Sequence, residues 1–318
     1  MKIKILDTAE AGRLVKTYND QIVGIPHCYN VSQEEFMDGF VYQKASFEFR
    51  SATTGKIDSY YNESIHSEKL IVCEENGEIV GFADVAVAET ELDGKAEQKG
   101  FIRFLTYKIG HRPIGQAILA ESESYLLSLG VKQIKAFRLL YLNDHCGYRF
   151  YHAGYGMVSD KLGHIFGLFG INGYKINGGE IFMDWSDYHI DEPSLPDKSL
   201  DITVDYKDGH ADRSGAVVKA VRNGAEIGSC QSASVGESSR SEEAQDWIFI
   251  TGLGINENEQ RKGLGRYLLQ RNLWEMKQVG YKNTVISTDW HNFRAFLFYT
   301  NYGYKLVDTM YEFVKNFE

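Results

Sequence analysis

Residues 247–268 read WIFITGLGINENEQRKGLGRYL. The opening residues, Trp247 to Ile255, form the short apolar run of a buried strand, and from Leu264 onward Leu264, Tyr267, Leu268 and Trp274 fall at helical spacing up to Gly280. Between strand and helix lies Gln260-Arg261-Lys262-Gly263-Leu264-Gly265-Arg266. A helix start exposes unpaired N–H groups and the positive end of the helix dipole, which together favour a bound anion. Gly263 and Gly265 carry no Cβ to block close approach, and Arg261, Lys262 and Arg266 add positive charge. Cations in the first turn oppose the dipole, so their placement needs a reason, and a bound phosphate supplies one.

The same succession of elements occurs twice. LIVCEENGEIVGFADV at 70–85 and AVVKAVRNGAEIGSCQSASV at 216–235 each hold an Asn-Gly pair between apolar runs, the strongest short signal for a β-hairpin. A third strand follows in each, IRFLTYKI from Ile102 and WIFITGLGI from Trp247. Next comes a helix: in the first copy Ile114, Ile118, Tyr125, Leu126 and Leu129 keep helical spacing up to Gly130. Asn76-Gly77, Leu105, Gly130 and Gly154-Tyr155 recur as Asn223-Gly224, Leu253, Gly280 and Gly303-Tyr304, each 147 to 150 residues further on. That regularity predicts a duplicated α+β unit with a mostly antiparallel sheet.

The polar stretch 186–199, with Pro193 and Pro196, is the natural linker, dividing the chain into 1–188, a linker at 189–199, and 200–318. The first copy has extra N-terminal helices, opened by cap-like Asp7-Thr8-Ala9-Glu10 and Ser32-Gln33-Glu34-Glu35, whereas the second begins directly at its strands. Gly163 to Gly179 is glycine-rich but lacks the strand–loop–helix context of a nucleotide loop, and it reads as turns between late strands.

With 318 residues the chain is long enough for two cores, and its net charge of -10 speaks against a broad nucleic-acid surface. The four cysteines show no paired spacing, so neither zinc nor disulfides are expected; His145, Cys146 and His152 are the nearest approach to a metal cluster. The N-terminus turns polar too soon for a signal peptide, and no apolar run is long enough to span a membrane, so a cytoplasmic protein without metal is expected.

Leu253-x-Ile255 followed by Gln260-x-x-Gly263-x-Gly265 resembles the acetyl-CoA signature of the GNAT superfamily of N-acetyltransferases. The resemblance covers nearly all of the second half and, through the repeat, most of the first. It implies two tandem GNAT-like domains, each with a mixed sheet flanked by helices and splayed central strands. It implies acetyl-CoA as cofactor, held by Leu253, Gly254 and Ile255 on the strand and by Gln260, Arg261, Lys262, Gly263, Leu264, Gly265 and Arg266 on the loop.

Downstream, residues 292–299 read as a short helix with Phe293, Phe296 and Leu297 toward the core and Asn292, Ala295 and Tyr299 on another face. The resemblance implies that Asn292 and Ala295 line the cofactor and that Tyr299 protonates the departing thiolate. For a general base Asp246, Asp289 and His291 are candidates, and none is singled out. In the first copy Pro113 and Ile114 replace Arg261 and Lys262, Asn143 matches Asn292, and Phe150 replaces Tyr299 with Tyr151 beside it. An impaired cofactor site is therefore expected there.

The expected activity is acetyl-CoA-dependent transfer of an acetyl group to a primary amine of a small molecule or peptide, with no nucleic acid or membrane as partner. The alternative is a non-catalytic acetyl-CoA-binding sensor or scaffold. An aminoacyl transferase using charged tRNA is disfavoured by the acidic balance.

Overall fold

The computed structural model describes residues 1–38, 44–50, 57–137, 157–209 and 211–318, with side chains left out of account before residue 64 in the strands that flank the second gap. The chain divides into two compact units. The first comprises Met1–Glu48, Ser59–Ile181 and Asp308–Glu318, and the second Phe49–Asp58 and Phe182–Val307.

In the first unit, β1 (Lys2–Leu6) pairs antiparallel with β3 (Ile57–Glu75), whose N-terminal neighbour β2 (Lys44–Arg50) also pairs with it. β3 forms a hairpin with β4 (Glu78–Leu92), and β5 (Lys95–Tyr107) adds antiparallel to β4. The chain crosses back through α3 (Arg112–Ser128) to β6 (Gln133–Ala136), which runs parallel to β5. The β3–β4 turn has Asn76 at φ 53° and Gly77 at φ 86°, the left-handed pair that a two-residue hairpin needs. Ahead of the sheet lie the 3-10 turn Thr8–Leu14, α1 (Val15–Ile22) and α2 (Gln33–Asp38). Ser32 Oγ accepts from the Glu35 amide at 3.1 Å, one half of the capping box that its sequence predicts.

Residues 163–171 correct the expectation of turns: they form α4 (Gly163–Ile171). Its Ile165, Leu168 and Phe169, spaced three and four apart, are buried in the core of the first unit, and that burial outweighs the helix-weakening effect of three glycines. After the short β7 (Val158–Ser159) and α4, β8 (Lys175–Trp185) leads toward the second unit.

The second unit repeats the plan. β9 (Asp201–Lys207) pairs with β10 (Gly215–Arg222) as β1 does with β3, and β10 forms a hairpin with β11 (Ala225–Ser234) through Asn223 and Gly224, at φ 52° and 78°. β12 (Trp247–Ile255) lies antiparallel to β11, preceded by the one-turn α5 (Glu242–Gln245). From β12 the chain crosses through α6 (Leu264–Val279) to β13 (Asn283–Asp289), parallel to β12. α7 (Phe293–Thr300) follows, and then β14 (Lys305–Asn316), whose residues from Asp308 on belong to the first unit and pair with β6.

Of the apolar stripe read from the sequence, Leu264, Tyr267 and Leu268 are buried and anchor α6, whereas Trp274 is only half-buried; Leu273 and Met276 complete the buried side. Deep on this helix, Asn272 Nδ2 donates to the carbonyls of Ala216 and Cys230, each at 3.2 Å, tying the helix to β10 and β11. Both units are thus mixed, mostly antiparallel sheets with flanking helices, the α+β class that the duplicated pattern predicts. Among the described residues no helix is long and apolar enough to cross a membrane.

Candidate active site

β12 and β13 are hydrogen-bonded partners only from Trp247↔Asn283 to Ile250↔Ile286. Beyond that point both strands continue, to Ile255 and Asp289, without pairing to each other. The register between β11 and β12 shifts at the same place, leaving Thr251 as an extra residue between Ile250 and Gly252. A bulge bends its strand, and here it turns the end of β12 away from β13. The strand edge that parts from β13 keeps its backbone donors and acceptors available to a ligand.

Past β12, the 3-10 turn Glu257–Glu259 leads to Arg261 at φ 62° and Gly263 at φ 83°, two left-handed residues that wrap the loop round to the start of α6. Among the described residues no protein group accepts a hydrogen bond from the amides of residues 261–266. Six consecutive residues at a helix start therefore leave their donors open, the arrangement that binds phosphate. A Cβ built on Gly263 would meet nothing within 4 Å, and one on Gly265 would touch only Ile255, at 3.4 Å, so the space above the loop is clear.

That space is a cavity of about 500 Å³. Its walls include Leu253, Ile255, Gln260, Arg261, Gly263, Gly265 and Arg266 from strand and loop, and Asn292, Ala295 and Tyr299 from α7. Gly254, Lys262 and Leu264, also expected at the cofactor, do not line it. Their positions have physical causes: Gly254 pairs with Ser229 of β11, Lys262 Nζ lies 3.2 Å from Glu259, and Leu264 is buried in the core. Gln260 braces the loop, donating to the Ile255 carbonyl at 3.0 Å and accepting from Arg294 at 3.2 Å.

Arg294 and Phe298 line the cavity as well, and sequence reasoning missed both. Arg294 and Phe298, four residues apart and so on one side of α7, were a signal available in the sequence.

α7 corrects one expectation. Phe293 and Leu297 do not face the core; they are 68% and 62% exposed. The buried side of this helix is that of Tyr299, at 7% exposure, because the helix leans its polar and small face into the cleft. Asn292 caps the helix, its Oδ1 accepting from the Ala295 amide at 3.2 Å. Tyr299 lines the cavity, and among the described residues no hydrogen-bond partner holds its hydroxyl. Burial pushes this phenol well above its ordinary range, so the proton stays on at neutral pH.

Of the candidate bases, Asp246 is bound to Lys282 at 2.7 Å and Arg213 at 2.9 Å, which hold its carboxyl below the usual range. It also sits at the start of β12, seven residues from Leu253 or about 23 Å along an extended strand. Asp289 and His291 are exposed beside one another, 3.8 Å apart, and neither lines the cavity.

The equivalent region of the first unit is built differently. Pro113 in the first turn of α3 has no N–H, and the Ile114 amide is taken by the His111 carbonyl at 2.9 Å. Tyr107, at the place of Ile255 in the repeat, lays its ring against Gly115, where a Cβ would fall 2.2 Å from the ring. Its hydroxyl donates to the His164 carbonyl of α4 at 3.2 Å. β5 and β6 also part, after Ile102↔Ala136, but beyond that point Phe104 stacks on Phe137 at 5.1 Å and Phe137 on Phe169 at 6.0 Å. Asn143, Phe150 and Tyr151, with His145, Cys146 and His152, lie outside the described residues.

Comparison with known proteins agrees with this geometry. Residues 181–304 match the acetyltransferase (GNAT) family. No curated protein sequence matches the chain. Among solved structures it is similar to a tandem GNAT protein from the clavulanic acid biosynthesis pathway, at 10% identity and TM-score 0.65 over 99% of this chain and 98% of that one. A glucosamine N-acetyltransferase region in a fungal multi-domain β-N-acetylglucosaminidase gives 13% and 0.63, over 99% of this chain and 38% of the other. A GCN5-related N-acetyltransferase from Sphaerobacter thermophilus gives 13% and 0.57, over 99% and 95%. A strand parted at a bulge, an open row of amides and a tyrosine lining the gap are thus found where the family match lies: residues 181–304 match the acetyltransferase (GNAT) family, within a chain that has the fold of tandem GNAT proteins.

Proposed function

We propose that the second unit binds acetyl-CoA in this cavity and transfers its acetyl group to a primary amine of a small molecule or peptide. The observation that carries the reading is the row of open amides at residues 261–266, beside a cavity lined by Arg261, Gly263, Gly265 and Arg266 of that loop, by Leu253 and Ile255 of β12 and by Tyr299. Acetyl-CoA, when bound, supplies the acetyl group as a thioester. The loop amides, with Arg261 and Arg266, hold its pyrophosphate, and the backbone of Leu253 to Ile255 runs alongside its pantetheine arm.

The attacking amine must lose a proton first, since its ordinary pKa is about 10. No carboxylate or imidazole lines the cavity among the described residues, so water carries that proton away. As the new C–N bond forms and the C–S bond breaks, Tyr299 gives its proton to the departing sulfur, while the nitrogen releases its surplus proton to water, from which Tyr299 is protonated again. A donor amide on the bulged end of β12 steadies the oxygen as it gains charge. The first unit acts as a structural or substrate-shaping partner, a reading supported by its bonded Ile114 amide and by the Tyr107 ring on Gly115.

Calorimetric titration with acetyl-CoA, together with thiol release across an amine panel, tests the reading. Tyr299→Phe should lower turnover about 100-fold or more with the affinity for acetyl-CoA unchanged. Absence of binding by the full chain refutes the site, and undiminished turnover refutes the role of Tyr299.

A further inference from the structure

The first unit holds a cavity of its own, of about 180 Å³, walled by β4, β5 and β6. Lys95, Lys99 and Lys135 line it, with Glu97 as its one carboxylate among the described residues, in a chain whose net charge is -10. Sheet register brings the three cations together. Lys95, Glu97 and Lys99 alternate along β5 and so share a face with Phe101, which stands opposite Lys135 of β6. The counter-charge around them is incomplete. Lys135 is 13% exposed and donates to Glu312 at 3.1 Å, but the same carboxylate oxygen also accepts from Asn177 at 2.6 Å. Lys99 is 20% exposed, and its partner Glu97, at 2.6 Å, is 62% exposed and so turned mostly to solvent. Among the described residues Lys95 forms no ion pair. Ammonium groups drawn out of water call for negative charge, and an exposed pair such as Lys99–Glu97 supplies little of it.

We propose that this cavity binds the phosphate group of a small phosphate monoester. Lysine ammoniums are compact point charges, and three of them suit the three free oxygens and nearly double charge of such a group. A planar carboxylate is better matched by the fork of an arginine, and among the described residues no arginine lines the cavity. Phe101, almost wholly buried, and Leu92, exposed at the end of β4, give the cavity an apolar side for the carbon skeleton of the ester. A volume of 180 Å³ falls below the roughly 300–1,000 Å³ of pockets that enclose drug-sized ligands, so the ligand is small. None of the residues lining this cavity lines the one in the second unit, and the site is independent of the carrier reading.

Lysine-reactive labelling of the full chain, read residue by residue in a mass spectrometer, locates the ligand as well as detecting it. Phenyl phosphate is the probe and benzoate the singly charged control, with ionic strength held constant by sodium chloride. Millimolar phenyl phosphate should lower the labelling of Lys95, Lys99 and Lys135 severalfold and leave the exposed Lys16 unchanged, whereas benzoate should protect none of them. In the double variant Lys95→Gln, Lys99→Gln the concentration that protects Lys135 should rise about fivefold or more, with the unfolding temperature unchanged. Should the double variant unfold, Lys95→Gln alone, at an exposed side chain without an ion pair, gives the same comparison with a smaller shift. Equal protection by benzoate, protection confined to Lys262 of the second unit's loop, no protection at all, or an unshifted midpoint in a folded variant each overturn the assignment.

Discussion

Gly265→Ala should separate folding from binding. Gly265 is the second residue of α6, after the left-handed Gly263, and its own backbone is helical. Glycine in a helix costs up to about 1 kcal/mol relative to alanine, so the substitution favours the folded state by up to that amount. The added Cβ stands 3.4 Å from Ile255 Cγ1, ordinary contact distance, and meets no backbone. Thermal unfolding should therefore stay level or rise by roughly 2–4 °C. In the cavity the same methyl group occupies space that a phosphate oxygen needs to approach the loop amides. Loss of one or two hydrogen bonds to a charged group costs about 1.5–3 kcal/mol each, so acetyl-CoA binding should weaken at least about tenfold. Scanning calorimetry and isothermal titration on one preparation read both effects. Undiminished affinity in a stable Gly265→Ala protein would refute the claim that the open amides are the anion site.

A glycine-to-alanine change in the first unit's loop, at the residue that matches Gly263, should behave in the opposite way. Gly115→Ala puts a Cβ 2.2 Å from the Tyr107 ring, which is buried and held through its hydroxyl to the His164 carbonyl, so it should destabilise by about 1–3 kcal/mol in denaturant titration without weakening acetyl-CoA binding. A harmless substitution there would show that the ring moves freely. Asp84 is fully buried on β4 beside Glu68 and 3.6 Å from Arg103; burial and the Glu68 charge push its carboxyl well above its usual 3.8. The folded chain keeps this proton where the unfolded chain has released it, so stability should fall as pH rises from about 4, by at most about 1.4 kcal/mol per pH unit. Asp84→Asn should flatten that slope in urea midpoints measured between pH 4.5 and 8, and an identical slope would show that Asp84 is ionised in the fold.

Much of the fold was legible because its signals are local. The Asn-Gly turns need only two residues with positive φ, and the α6 stripe needs only its own spacing. The loop from Gln260 to Arg266 was legible for the same reason, since a helix start and two glycines define it without reference to the rest of the chain. Where a residue's role depends on a distant neighbour, the sequence was mute. Phe293 and Leu297 read as core by hydrophobicity, but nothing in the helix itself records that its other face leans into the cleft. Gly163 to Gly179 read as turns because glycine is a poor helix former, and only burial against the first unit's core makes α4 a helix. The bulge at Thr251, on which the parting of β12 from β13 depends, is a property of strand register and has no marker in the sequence around it.

The placement of β14 bears on how the protein is made. Residues from Asp308 on supply the strand that pairs with β6, yet the ribosome delivers them only after the whole of 182–307. Until that last segment emerges, β6 has an uncovered edge, and the N-terminal unit waits unfinished while the later one can already assemble. Deleting residues 308–318 should therefore damage the unit made first, and a nascent chain stalled before Asp308 should show its weakest protection from protease around β6.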